Sequence, residues 1–198
     1  MREIPLFPLD TVLFPGMPIH LHIFEPRYRQ MIQFCLDNAR PFGVVLIRRG
    51  MEANGPLAEP EPIGTAAAIT EIERLPDGRM NIIALGGERF RILELNYDLP
   101  YLVGKVECLP LQPPVTLEMI SGLRRLRPLA HHYLTLLSRQ FHENLDLSGL
   151  RMPEDPGHAL NMAAGLLQIP PAEKQLLLAA ISATDLFIQV ERLYRREI

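Results

Sequence analysis

Two lysines and four serines bound two kinds of chemistry in this chain, a phosphate-binding loop and a Ser–Lys dyad: Lys105 and Lys174, with Ser121, Ser138, Ser148 and Ser182. A phosphate-cradling loop needs Gly-x-x-x-x-Gly-Lys-Ser/Thr, because the lysine reaches the phosphates and the hydroxyl holds magnesium. Lys105 follows Gly104 but precedes Val106, and Lys174 sits between Glu173 and Gln175. Neither fits, which excludes nucleotide hydrolysis by such a loop. A Ser–Lys dyad is equally unsupported. Lys105 falls on an expected strand and Lys174 in an expected helix, and no serine stands in a Gly-x-Ser-x-Gly elbow. Helix surface or capping explains each serine.

The remaining polar groups point to ion pairs rather than catalysis. His20 and His22 face one side of an expected strand; His131, His132 and His142 fall on an expected helix without the i, i+4 pairing of a His-Glu-x-x-His site. They read as solvent-facing or hydrogen-bonded, and no metal or cofactor is expected. Glu25 and Glu88 are natural partners for Arg27, Arg29, Arg89 or Arg91. Arg124-Arg125-Leu126-Arg127 and the Arg192–Arg196 cluster have Glu118, Glu191 and Glu197 nearby. With a net charge of −3 and a pI of about 6.1, these clusters read as solvated helix faces, not a nucleic-acid surface.

Elements must position these groups, and the chain divides by texture. At 198 residues and 47% hydrophobic it can bury one sizeable core or two modest ones. Residues 1–112 are rich in β-branched residues, Gly and Pro; residues 113–198 read as helices. Pro113-Pro114 marks the boundary, since paired prolines end a strand and cannot sit inside a helix. Met17–Phe24 alternates as a strand, and Pro26 opens an amphipathic helix to Asn38. Phe42–Ile47 reads as a buried strand and Met51–Pro62 as an exposed loop. Ile63–Leu75 and Arg79–Leu95 read as a hairpin turning at Pro76-Asp77-Gly78, with a bulge or bend at Gly86-Gly87. Tyr101–Leu109 is the last strand. The expected helices are Thr116–Phe141, kinked or divided at Pro128, then Pro156–Gln168, Pro171–Ser182 and one opened by Ser182. Cys35 and Cys108 read as two buried free thiols in a reducing cytosol. Prolines interrupt any signal-peptide core near the N-terminus, so a cytoplasmic protein without a membrane span is expected.

Several motifs together resemble the N-terminal domain of Lon proteases. They are Phe7-Pro8 within Pro5–Leu9, Pro15-Gly16 after Leu13-Phe14, and Phe24-Glu25-Pro26-Arg27-Tyr28. Asp77-Gly78-Arg79 and Gly87-Glu88-Arg89-Phe90 complete the set. The resemblance extends to the Lon-like domain of cereblon. It implies an α+β fold: an N-terminal PUA-like antiparallel pseudo-β-barrel with one helix, followed by a C-terminal helical subdomain. It also implies a stand-alone, non-enzymatic module that binds unfolded or tagged proteins or peptides, with a protease or chaperone as a further partner, and no ATPase or protease part.

The motif residues read as structural. Pro15-Gly16 turns the chain, Glu25 and Arg29 lie four apart across the start of the helix, and Arg89-Phe90 packs and pairs within the barrel. Exposed Phe14 and Met17, with apolar residues where the halves meet, are the expected protein contacts. Two rival readings remain open: a small hydrolase or ligand-binding enzyme with a cleft lined by His22, Glu25 or Arg89, and RNA binding by the barrel.

Overall fold

In the computed structural model the first strand lies where the sequence reading assigns none, across Pro5 and Pro8. Arg2–Leu9 (β1) pairs antiparallel with Leu102–Cys108 (β6) over Arg2–Leu6, and parallel with Phe42–Arg49 (β3) over Leu6–Leu9. Proline is tolerated in a strand where its missing N–H faces no partner. Pro5 is in register with β6 alone and Pro8 with β3 alone, so each has an unpaired side. The parallel β1–β3 pairing departs from the expected all-antiparallel barrel. The structure describes residues 1–52, 55–112, 117–141 and 152–198, without the side chains of 117–120 and 140–141. The Pro113-Pro114 boundary, His142, Ser148 and the Glu118 side chain lie outside the described residues.

The other elements of the β-rich half are Pro18–Ile23 (β2), Pro26–Asp37 (α1), Glu59–Arg74 (β4) and Met80–Asn96 (β5). Strands β5, β4, β3, β1 and β6 close a ring through a β5–β6 pairing, and β2 lies outside it. Besides β4, β5 serves two further neighbours because it is long. Met80–Leu85 pairs with β2, whereas Phe90–Asn96 pairs with β6. Between these halves the register to β4 slips, with Gly86 opposite Ala67 but Arg89 opposite Thr65. This is the irregularity expected at Gly86-Gly87. The Asp77-Gly78 turn also forms as expected, with Gly78 at φ +81° and Asp77 accepting from Arg79 N at 3.0 Å and Arg79 Nε at 2.6 Å. β4 starts earlier than expected, so Glu59–Pro62 is strand rather than loop and Pro60 is buried.

Phe90 fills the ring among Leu6, Val45, Leu102 and Val106. Its ring fits because Gly43 and Gly64 lack a Cβ, which would come within 2.6 and 2.8 Å of it. Helix α1 covers a second core, sending Tyr28, Met31, Ile32 and Cys35 against Phe7, Phe42 and Ile82. That is the helical spacing legible in the sequence.

Leu117–Phe141 (α2), Pro156–Leu166 (α3), Pro171–Leu178 (α4) and Ala183–Glu197 (α5) form the helical half. α2 runs through Pro128 as one helix, so the expected division does not occur. α4 ends before Ser182, which instead caps α5: its Oγ accepts from Asp185 N at 3.1 Å. The expected Glu191–Arg195 pair forms at 3.0 Å. Leu126, Leu160, Leu177, Val190 and Tyr194 build the helical core, and Val12, Phe14, Leu46 and Ile63 of the β-rich half enter it.

Candidate binding groove

The charged knot at the start of α1 is taken up by structure. Glu25 holds the N-cap position, and its carboxylate pairs with Arg27 Nη2 at 2.9 Å rather than with Arg29. Arg27 Nη1 donates to Gly55 O at 3.0 Å, tying the following loop to the corner, and its guanidinium lies over the Tyr28 ring. Tyr28 in turn stacks on Phe7 at 4.2 Å between centroids. Arg29 extends to the hairpin turn, where its Nη1 would be 2.8 Å from a Cβ on Gly78. Phe24 stays exposed beside His22. Glu88, expected to meet a neighbouring arginine, pairs with Arg2 at 3.3 Å.

Pro15-Gly16 makes the expected corner. Gly16 takes φ +77°, Met17 N donates to Phe14 O at 3.1 Å, and Gly16 N donates to Gly86 O at 2.8 Å. Thr65 Oγ1 fixes the approach by donating to Leu13 O at 2.6 Å. This geometry turns Phe14 inward. It is 1% exposed, so the expectation of an exposed contact there is corrected: the β-rich half needs an apolar plug against the helices, and Phe14 supplies it. Met17 is half-buried, its side chain lying along Gly165 of α3.

Arg89 is the residue whose placement sequence reasoning missed most. It does not pair within the barrel. Its Nη1 crosses to the helical half and donates to Leu178 O at 2.6 Å and Ala180 O at 2.8 Å, the carbonyls that end α4. A cation suits a helix C-terminus, where carbonyls lack intrahelical partners. Burial lowers the guanidinium's pKa from its ordinary value, and the nearby Cys108 acts in the opposite direction. No carboxylate pairs with Arg89 among the described residues. Gln175 makes a second tie, donating from Nε2 to Ile63 O at 2.9 Å.

Beside these ties runs a groove of about 680 Å³ between the halves. The corner residues Pro15 and Gly16 and the bend residues Gly86, Gly87 and Arg89 line it from one side, α3 residues Asn161 and Met162 from the other. Leu85, Leu109, Pro110, Leu111 and Pro153 make its walls mainly apolar, and Leu85 is 44% exposed. Five motif residues from two segments far apart in sequence, Pro15-Gly16 and Gly87-Glu88-Arg89, thus meet at one surface. Cys108 also lines it and is exposed, not buried as expected; both cysteines are free. Cys35 is buried beneath α1, which pushes its thiol up to about 11. One thiol is therefore expected to react with Ellman's reagent in the native protein at neutral pH and the second only on unfolding. Two fast-reacting native thiols would contradict this placement.

The other candidate residues do not converge. His22 and Glu25 line a slot of about 290 Å³ beside β2 and α1, away from Arg89. His20 and His22 also border a concavity of about 470 Å³ on β2, β4 and β5, where His22 Nδ1 lies 2.7 Å from Asn81 Oδ1. Of His22, Glu25 and Arg89, the groove between the halves is lined by Arg89 alone. Lys105 pairs with Glu94 at 3.0 Å, and Lys174 Nζ donates to Gly165 O at 3.2 Å. His131 and His132 are exposed on α2, and no cluster suited to a metal ion occurs among the described residues. No helix among them is long and apolar enough to cross a membrane.

The model of the ATP-dependent protease La (LON) substrate-binding domain matches residues 3–194. The chain belongs to the Lon substrate-binding domain family. The Lon protease of Paraburkholderia phytofirmans is 30% identical over 173 residues, covering 87% of this chain, and that of Anaeromyxobacter dehalogenans 25% identical over 183. The chain spans only 21% of the length of each, so the similarity is to one part of those proteins. The fold is shared with the Lon N-terminal domain protein of Xanthomonas campestris (TM-score 0.64, 25% identity, 98% of both chains). It is also that of the N-terminal domain of Mycobacterium avium complex Lon protease (TM-score 0.71, 18% identity, 100% of both).

Proposed function

We infer that this Lon-family domain is a non-enzymatic module that binds segments of unfolded or tagged proteins, and that the junction groove is its contact surface. The supporting observation is the groove itself: mainly apolar, open, fixed by both halves, and lined by Pro15, Gly16, Gly87 and Arg89 of the family motifs. Its volume suits a few residues of peptide. Met17 lies at the same corner and remains a candidate contact. The free thiols Cys35 and Cys108 are consistent with work in the cytoplasm. A protease or chaperone would act on what the module captures.

Fluorescence anisotropy of labelled, reduced and carboxymethylated casein titrated with the pure protein tests this. Saturable binding is expected, and Leu85→Asp should weaken it at least about tenfold while leaving the melting temperature nearly unchanged, because Leu85 is exposed. Absence of binding to casein and other unfolded proteins would contradict the reading.

A further inference from the structure

Strand β2 has one neighbour. It pairs with β5 over Pro18–Ile23 without a bulge, and no strand pairs with its other edge among the described residues. The alternation of an antiparallel ladder fixes what that edge presents. Gly86 N donates to Met17 O at 2.9 Å, so Ile19, Leu21 and Ile23 turn their N–H and C=O toward β5, and those of His20 and His22 point outward. Pro18 falls in the outward set, where its missing N–H leaves the β5 ladder whole. The side chains show the same open edge. Ala84 and Ile82 of β5 are 0% and 2% exposed, whereas Ile19 and Leu21, in register with them, are only half-buried. The slot of about 290 Å³ described above opens along His20–Ile23. Free edges are normally blunted by a lysine, a bulge or an inward charge, and this one carries only a proline at its end.

We propose that this edge pairs with the same edge of a second copy of the chain, antiparallel about a two-fold axis at Leu21. His20 then meets His22 of the second copy and His22 meets its His20, each pair exchanging both N–H···O bonds. Pro18 comes opposite Phe24 at the margin, where a missing donor matters least. Leu21 meets Leu21 and Ile19 meets Ile23, which covers the half-buried apolar side chains. The histidines suit one another as well. Asn81 Nδ2 donates to Glu73 at 2.7 Å, which aims Asn81 Oδ1 at His22 Nδ1, also 2.7 Å away. His22 therefore carries its proton on Nδ1 and offers Nε2 as an acceptor. The His20 ring has no hydrogen bond among the described residues and can donate, and the axis brings this donor to that acceptor twice. No Asp, Glu, Lys or Arg lies within the strand, and Glu25 is set opposite Met17 rather than its own copy. An interface of one short strand pair is small, so the association is weak and reversible. No residue of β2 lines the junction groove, so the inference stands apart from the peptide-binding reading.

Sedimentation velocity of the pure protein between about 5 and 500 µM should show a dimer fraction that grows with concentration. His20→Lys combined with His22→Lys sets lysine against lysine across the axis and should weaken the dimer at least about tenfold. His20→Glu combined with His22→Lys sets unlike charges together and should restore it, a rescue that only the proposed register gives. Both positions are exposed, so the fold tolerates either change. Hydrogen exchange of the unaltered protein needs no variant: the His20 and His22 amides should be protected in the concentrated sample and not in the dilute one. A protein that stays monomeric across the range overturns the proposal. So does a dimer that both variants leave intact, or that both abolish.

Discussion

Replacing Arg89 by methionine is expected to lower the unfolding free energy by about 3 kcal/mol, although methionine keeps much of the side chain's apolar bulk. The cause is specific. Two charge-assisted hydrogen bonds to Leu178 O and Ala180 O disappear, leaving carbonyls of two buried residues unpaired at the end of α4. Part of the loss is recovered because a buried guanidinium without a carboxylate partner is itself costly to desolvate. Lysine should not rescue the variant, since a single ammonium on a shorter stem does not reproduce the planar fork. Chemical denaturation with the slope monitored measures the effect. A change below about 1 kcal/mol would mean that the link between strand β5 and helix α4 carries little of the stability. Amide hydrogen exchange adds direction: protection in Pro171–Leu178 should fall before that of the barrel strands.

Phe14→Ala should cost more, about 3–5 kcal/mol, in the range for aromatic truncation in a packed core. Phe14 is 1% exposed and packs in the cluster that holds Leu126, Leu160 and Val190. A surface contact residue at the same place would show the opposite pattern, with stability unchanged and binding reduced. Equilibrium unfolding of the variant therefore decides directly between the buried plug seen in the structure and the exposed contact expected from sequence. Phe14→Leu should recover part of the loss, since apolar bulk rather than a polar partner is what the site requires.

Much of the fold was legible because its signals are local. The alternation in β2, the Pro26 start of α1, the Asp77-Gly78 turn and the Ser182 cap each depend on a few neighbouring residues. The family motifs made the architecture readable as well. What the sequence hid depends on partners far away in the chain. Pro5 and Pro8 argue against a strand until it is known that β1 changes partners at Leu6. Phe14 follows a Leu-Phe-Pro-Gly pattern that reads as an exposed turn until the helical half is placed against it. Arg89 is separated from its acceptors by the helical half's own sequence, and carbonyl acceptors leave no trace in residue type. Asn161 reads in sequence only as a polar residue in an apolar helix, and the structure shows it buried, its Nδ2 donating to Gly157 O one turn back.

The groove gathers residues that local reading treated as separate corners. Pro15-Gly16 ends one turn, Gly86-Gly87 bends β5, and Arg89 follows that bend; together they shape one edge of a surface whose other edge is α3. A requirement for this surface would explain why a turn, a bend and a buried arginine belong to one motif set.

The most direct test is the footprint of a bound unfolded chain. Hydrogen exchange of the protein with and without saturating carboxymethylated casein should show added protection confined to Pro15–Met17, Leu85–Arg89 and the start of α3. Exchange on the outer face of β2 and β4, around His20 and Glu71, should be unchanged. Protection centred on that outer face, or none at saturation, would contradict the junction groove as the binding surface.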